Sequence, residues 1–167
     1  MSRELDIFSE DEWEMLCDNC GLCCLYKLQD EDTGELYFTS VLCPYLNKED
    51  KHCVCYPERF EKMPTCTKIS PESLPRIARW LPKNCAYRCV FEGIALPDWH
   101  PLNRDDSMKA AALRQKLKDI CLRPNTCISK ETADLVIHRS RMPRDEQLSP
   151  RRMTRLLLNH IIEDIDL

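Results

Sequence analysis

The chain has 167 residues and a formal net charge of −4, and it contains 12 cysteines but only three glycines. This length fits one domain with a short extension. No apolar run approaches the roughly 20 residues of a membrane-spanning helix, and the acidic N-terminus does not resemble a secretory signal. We therefore expect a cytoplasmic protein that does not enter a membrane, with its cysteines kept reduced.

The first predicted element is a short helix that leads into a cysteine motif. Ser9 and Glu12 have the spacing of a capping box. The helix is followed by Cys17-Asp18-Asn19-Cys20-Gly21, a CxxCG knuckle in which two sulfurs can reach one ion and the glycine can adopt a positive φ. Cys23 and Cys24 extend the motif to CxxCxxCC, in which the last cysteine is expected to face away from the first three.

A hairpin and a cysteine-containing loop are predicted next. Residues 25–28 and 35–41 have strand character and flank a turn at Thr33-Gly34. Residues 43–69 carry three prolines and four cysteines, so we expect a loop that metal binding orders. The eight candidate metal ligands in this front half of the chain are Cys17, Cys20, Cys23, Cys24, Cys43, Cys53, Cys55 and Cys66.

Three further helices are predicted downstream. Start signals at Ser70-Pro71 and Ser73 indicate a helix that ends before Pro82, and apolar residues at helical spacing indicate another over 106–122. Ser149 and Pro150 begin a C-terminal amphipathic helix. Its predicted apolar side consists of Met153, Leu157, Ile161, Ile162 and Ile165.

The region before that last helix is basic, with six arginines and two acidic residues between positions 139 and 155. Such a segment can contact nucleic acid. No stacking aromatic residues are interleaved with these arginines, so a solvated arginine face is the better interpretation and nucleic acid is not an expected partner.

The cysteine spacing favours metal binding over a disulfide framework or isolated buried thiols. Thiolates bind both zinc and iron. The CxxCG knuckle favours zinc, whereas Cys17, Cys20 and Cys23 with Cys43-Pro44 imitate the ligands of an iron-sulfur cluster. The preferred function is a binding or adaptor protein with a structural zinc. The alternative is an iron-sulfur protein with a redox or enzymatic role.

A thiol enzyme is a weaker hypothesis. It would require His100 to act as a base for Cys85 or Cys89. A single histidine between Trp99 and Pro101 is more typical of a packed, hydrogen-bonded structural residue.

Several longer segments suggest a family. They are LCDNCGLCCLYKLQDEDTGELYFTSVLC, HCVCYPERFEKMPTC, WLPKNCAYR and WHPL. Together they resemble the bacterial YcgN-type cysteine-cluster proteins, within the CxxCxxCC group described as "putative zinc- or iron-chelating" domains. The resemblance runs from about Trp13 to Leu102. It implies metal binding through the eight candidate ligands and gives Cys85 a family position, whereas Cys89, Cys121 and Cys127 are particular to this chain.

The sequence therefore predicts an α+β fold, a small loop-rich single domain with a β-hairpin and flanking helices around a cysteine-ligated metal centre. We expect residues 1–105 to form the metal-binding part and residues 106–167 to form a helical extension. The expected partners are a transition metal ion and another protein.

Overall fold

The computed structural model describes residues 5–143 and 148–167. Arg144, Asp145 and Glu146, from the middle of the basic region, lie outside the described residues. The predicted α+β class with a hairpin and flanking helices is confirmed. No helix in the described residues combines the length and apolar character that a bilayer crossing requires.

The helices and strands are α1 (Glu10–Glu14), β1 (Leu25–Gln29), β2 (Leu36–Leu42), α2 (Arg59–Lys62), α3 (Leu74–Ile77), α4 (Ala86–Glu92), α5 (Met108–Ile120), α6 (Lys130–Arg139) and α7 (Pro150–Leu158).

Short 3-10 turns supplement these elements. They span Leu5–Ile7, Leu22–Cys24, Tyr56–Glu58, Ala78–Trp80 and Pro101–Arg104.

The chain forms two compact units that alternate along the sequence. Of the described residues, the first unit contains 5–18, 68–129 and 167, and the second contains 19–67, 130–143 and 148–166. The division between residues 105 and 106 stays a prediction.

The first unit is a helical unit with an apolar core. The capping box that begins α1 is confirmed, because the Glu12 N–H donates to Ser9 Oγ over 3.3 Å and the Ser9 N–H donates to a Glu12 carboxylate oxygen over 2.8 Å. Trp13 is buried behind it and its indole N–H donates to the Ile69 carbonyl. The core also includes Leu16, Leu74, Leu81, Tyr87, Val90, Leu102, Leu113 and Leu117.

The helices of the first unit agree only in part with the sequence prediction. The helix predicted over 106–122 is confirmed as α5, whereas the one predicted before Pro82 is α3 followed by a 3-10 turn. Helix α4 was missed. It begins after Cys85 with no side-chain cap and ends at Gly93 in the left-handed region with φ 71°. That glycine is the one sequence signal that marks its end.

The second unit is built on the hairpin, which the sequence predicted correctly. Strand β1 pairs antiparallel with β2, with Gln29 opposite Leu36 and, past an irregularity, Leu25 opposite Leu42. The Asp30 carboxylate accepts hydrogen bonds from two turn N–H groups, and Gly34 turns the chain with φ 71°. Thr39 is buried, and its hydroxyl donates to the Tyr26 carbonyl over 2.7 Å.

The predicted length of the C-terminal helix is wrong. Helix α7 ends at Leu158, so Ile161, Ile162 and Ile165 lie beyond it. The segment after α7 pairs with the edge of β2 that does not face β1. The Ser40 N–H donates to the His160 carbonyl over 2.7 Å, and the Ile162 N–H donates to the Phe38 carbonyl over 2.8 Å. These bonds satisfy strand groups that would otherwise stay unpaired.

Helix α6 was not predicted from the sequence. Its buried face consists of Ala133, Val136 and Ile137. Two lysines from the loop after β2 bind it. The Lys48 ammonium donates to the His138 and Ser140 carbonyls at its C-terminal end, over 2.8 and 2.6 Å, and Lys51 forms an ion pair with Asp134. A lysine at a helix C-terminus satisfies carbonyls that lack a helical partner.

Candidate metal centre

The first cysteine knuckle begins where α1 ends. Cys17 is exposed and belongs to the first unit, and its N–H donates to the Glu14 carbonyl over 3.2 Å. Cys20, half-buried, belongs to the second unit. Gly21 has φ 77°, as predicted, and a Cβ at this position would lie 3.1 Å from Leu46 Cδ2. The knuckle thus depends on a glycine for both its backbone angle and its space.

The hairpin then brings distant cysteines together. Cys24 precedes β1 and Cys43 follows β2, and the Cys43 N–H donates to the Cys24 carbonyl over 2.9 Å. Past the next turn, Leu46 forms an isolated antiparallel bridge with Cys53. Backbone pairing therefore places the C-terminal end of the CxxCxxCC motif, at Cys24, near the Cys53-Val54-Cys55 segment.

The remaining two candidates are arranged around the turn that follows. Cys55 is buried, and its sulfur lies 3.8 Å from that of Cys53. The 3-10 turn and α2 that begin at Tyr56 interrupt the segment predicted to be all loop. Cys66 follows α2, and its N–H donates to the Met63 carbonyl over 2.8 Å. We call the resulting set in the second unit the six-thiol group: Cys23, Cys24, Cys43, Cys53, Cys55 and Cys66.

The thiols of this group influence one another electrostatically. The Cys23 thiol, together with burial, raises the pKa of Cys24. Burial raises the pKa of Cys43, and the nearby Cys53, Cys66 and Cys23 thiols add to that effect. Burial also raises the pKa values of Cys55 and Cys66. These four thiols therefore favour the neutral form at pH 7 until a cation makes thiolates favourable.

These thiols are neighbours, but their sulfurs are not arranged around a common centre. Among residues 5–143 and 148–167, no three His, Cys, Asp or Glu side chains have the arrangement of a metal site. The donor set still fits a soft metal ion, because it consists of cysteine sulfur, the ligand that selects zinc and iron. The assignment of all eight candidate ligands stays a prediction.

His100 has a structural role, as the sequence favoured. The ring is fully buried, its Nε2 lies 3.1 Å from the Leu16 carbonyl oxygen, and its Nδ1 accepts from the Leu102 N–H over 3.1 Å. Burial lowers the pKa of His100, so the neutral ring is favoured, with the proton on Nε2. Because both ring nitrogens contact backbone groups, His100 does not serve as a base for Cys85 or Cys89.

The structure also brings together two cysteines that the sequence did not pair: Cys89, considered there only as a nucleophile beside His100, and Cys127. Cys89 in α4 and Cys127 in the loop after α5 both contact the Lys83 carbonyl in the first unit. The separation of four residues between Cys85 and Cys89 could have indicated a common helical face. Nothing in the sequence indicated that Cys127 would lie beside them.

Comparisons with known proteins agree with the cysteine pattern. Residues 16–86 match the family model CxxCxxCC, described as a "Putative zinc- or iron-chelating domain". This match makes the front of the chain similar to cysteine-cluster domains of that class. No solved structure matches the chain at a significant level.

Curated relatives narrow the class further. The proteins named "UPF0260 protein YcgN" from Escherichia coli strain K12, Escherichia coli O6:H1 and Shigella flexneri are each 54% identical to this chain over 101 residues. The match covers 60% of this chain and 65% of each relative, slightly less than two thirds of their length. Over this region the chain is similar to the YcgN-type cysteine-cluster family, and the predicted resemblance is confirmed.

Proposed function

We propose that the protein binds a transition metal ion, preferably zinc, as a structural element of a cytoplasmic binding or adaptor protein. The observation that carries the proposal is the backbone pairing of Cys24 with Cys43 and of Leu46 with Cys53, which collects the six-thiol group within one unit. The proposed ligands are drawn from the eight candidates: Cys17, Cys20, Cys23, Cys24, Cys43, Cys53, Cys55 and Cys66.

Zinc suits such a site because all-thiolate zinc centres are closed. A bound zinc ion would cross-link the loops after the hairpin and leave no open position for a reacting water. Binding would also release protons, since the raised pKa values of Cys24 and Cys43 keep these two thiols protonated in its absence. The protein's own contribution is to hold the sulfur donors near one another through the hairpin and the bridge.

Iron is the alternative metal. Cys17, Cys20 and Cys23 followed by Cys43-Pro44 provide the donors that an iron-sulfur cluster uses, and that assignment would imply redox or enzymatic chemistry. Full-length protein purified without oxygen and without added metal distinguishes the two. We expect stoichiometric zinc and no visible absorbance. A brown protein with iron and acid-labile sulfide would support the alternative, and a folded protein without either metal would refute both.

A pair of variants tests whether the six-thiol group holds the metal. Cys43→Ser replaces the thiol of a residue whose backbone N–H donates to the Cys24 carbonyl. Three other thiols of the group are near enough to raise the pKa of Cys43. We expect it to lose most of its metal, whereas Cys127→Ser, in the other unit, keeps the wild-type content. Metal analysis with thiol titration measures both. Equal metal content in the two variants would contradict the proposed ligands.

A group of exposed apolar side chains supports the proposed adaptor role. Val54, Tyr56 and Phe60 are 71%, 50% and 39% exposed beside Cys53 and Cys55. The Arg59 guanidinium lies 3.8 Å from the Tyr56 ring centroid and 4.2 Å from that of Phe60. Aromatic residues and arginine are enriched at protein interfaces, so we propose this surface as the contact with a protein partner.

A further inference from the structure

Four cysteines of the first unit lie at helix α4, at the end of α5 and in the loop that follows α5. Cys85 occupies the N-cap position of α4 without a side-chain hydrogen bond, and Cys89 lies one turn into that helix. Cys121 ends α5, and Cys127 follows in the loop. The loop is joined to the chain after α4, because the Arg123 N–H donates to the Gly93 carbonyl over 3.0 Å and the Ala95 N–H donates to the Arg123 carbonyl over 2.8 Å.

Asn125 fixes the position of Cys127. Its side-chain amide donates to the Ala95 carbonyl, and its side-chain oxygen accepts from the Cys127 N–H, each over 2.7 Å. The same amide nitrogen lies 3.7 Å from Cys89 Sγ. One side chain therefore contacts both the backbone of Cys127 and the sulfur of Cys89.

The two sulfurs share a carbonyl. The Cys89 and Cys127 sulfurs lie 3.4 and 3.0 Å from the Lys83 carbonyl oxygen, to which each donates while it is protonated, and the two side chains are also hydrogen-bond neighbours. Cys89 is fully buried, whereas Cys127 is half-buried and can meet a small molecule. The pair thus combines an accessible thiol with a protected one at short range.

The environment of the pair favours a thiolate on Cys127. The Cys89 thiol lowers the pKa of Cys127 to about 7, with help from Asn125 and Arg88, while burial and Glu92 act in the opposite direction. The pKa of Cys89 is raised by Cys127 and by burial. At neutral pH the accessible thiol therefore has thiolate character and the buried one stays protonated.

We propose that Cys89 and Cys127 form a redox-active dithiol that exchanges with small-molecule disulfides, with Cys127 as the nucleophile and Cys89 as the resolving thiol. The Cys127 thiolate attacks one sulfur of a disulfide RSSR, whose S–S bond breaks to give a mixed disulfide and RS⁻. Cys89 then attacks Cys127 Sγ and displaces the second RS⁻. Starting from the Cys127 thiolate and the Cys89 thiol, the protein loses two electrons and the one proton of Cys89, and the two RS⁻ become two RSH by taking up that proton and one from solvent.

A second metal site is the competing interpretation of this cluster. It would need Cys85 and Cys121 as well, and both contribute electrostatically to the raised pKa of Cys89. In the part of the chain that the structure describes, however, no three side chains of the ligating types have a metal-binding arrangement. Cys89 and Cys127 are the two of the four whose sulfurs are shown to share the Lys83 carbonyl, which brings them into each other's neighbourhood.

The test uses metal-loaded, full-length protein in glutathione buffers of graded potential. Differential alkylation and peptide mass mapping identify which cysteines are oxidised. We expect a Cys89–Cys127 disulfide in the wild-type protein and in Cys121→Ser. Cys89→Ser should accumulate glutathione on Cys127, because the resolving thiol is gone, and Cys127→Ser should form no disulfide at Cys89.

A kinetic measurement adds a readout that a structural role would not affect. At pH 7 we expect iodoacetamide to alkylate Cys127 about tenfold faster in the wild-type protein than in Cys89→Ala, which lacks the thiol that stabilises the thiolate. Absence of a Cys89–Cys127 disulfide at every potential, in wild-type protein whose circular dichroism is unchanged, would overturn the proposal. Zinc lost equally from Cys127→Ser and Cys121→Ser would also overturn it in favour of a metal site.

Discussion

Gly21→Ala tests the link between the first knuckle and the metal. An L-residue in the left-handed region costs about 1–2 kcal/mol. The new Cβ would in addition lie 3.1 Å from Leu46 Cδ2 and 3.4 Å from Ile137 Cδ1, both in a buried part of the second unit, and overpacking of this kind adds about 1 kcal/mol. We therefore expect the free energy of unfolding to fall by about 2–3 kcal/mol.

Gly34→Ala is the matched control. Gly34 has a similar φ of 71°, but its nearest neighbour is the end of the Gln29 side chain at 3.9 Å, so only the backbone term applies. Urea denaturation followed by circular dichroism measures both losses, and competition with a chromophoric chelator measures zinc affinity. We expect Gly21→Ala alone to weaken zinc binding, by about tenfold or more. Equal losses of stability with unchanged zinc affinity in both variants would refute the reasoning.

Three further predictions concern stability. Burial lowers the pKa of His100, so its contribution to the free energy of unfolding is complete above about pH 6.5 and falls below that by at most about 1.4 kcal/mol per pH unit. Urea midpoints in His100→Gln should therefore depend less on pH between 7 and 5.5, and an equally steep dependence would contradict this. Ser9→Ala should cost about 1 kcal/mol, whereas Ser149→Ala, which removes no side-chain cap, should cost less in the same assay. Ile162→Pro removes the N–H that donates to Phe38 and should lower the free energy of unfolding by about 1–3 kcal/mol more than Ile162→Ala; equal losses would show that the backbone bond contributes nothing.

Local patterns predicted local structure well. The capping box at Ser9, the hairpin around Gly34 and the positive φ of Gly21 are each decided within a few residues. Helix α5 was predictable for the same reason, because its apolar spacing persists over 13 residues. These elements depend on short-range hydrogen bonds and side-chain spacing, which the sequence states directly.

The end of α7 was decided by long-range pairing. The isoleucines after Leu158 keep a helical spacing, yet the chain leaves the helix because β2 offers backbone groups to His160 and Ile162. Helix α6 was missed because lysines more than 80 positions earlier contribute to its stabilisation. Neither partner is visible in the local sequence.

For the cysteines as well, some properties follow from the sequence and others only from the tertiary structure. Their number, their thiol chemistry and the CxxCxxCC spacing followed from the sequence alone, and with them the resemblance to the YcgN-type family and the proposal of a metal ligand. Only the tertiary structure decided which sulfurs become neighbours: the hairpin and the bridge at Cys53 collect six in one unit, and the loop after α5 brings Cys127 to Cys89. The physical reason is that donor chemistry belongs to each residue, whereas the proximity of two sulfurs depends on backbone pairing between segments far apart in the chain.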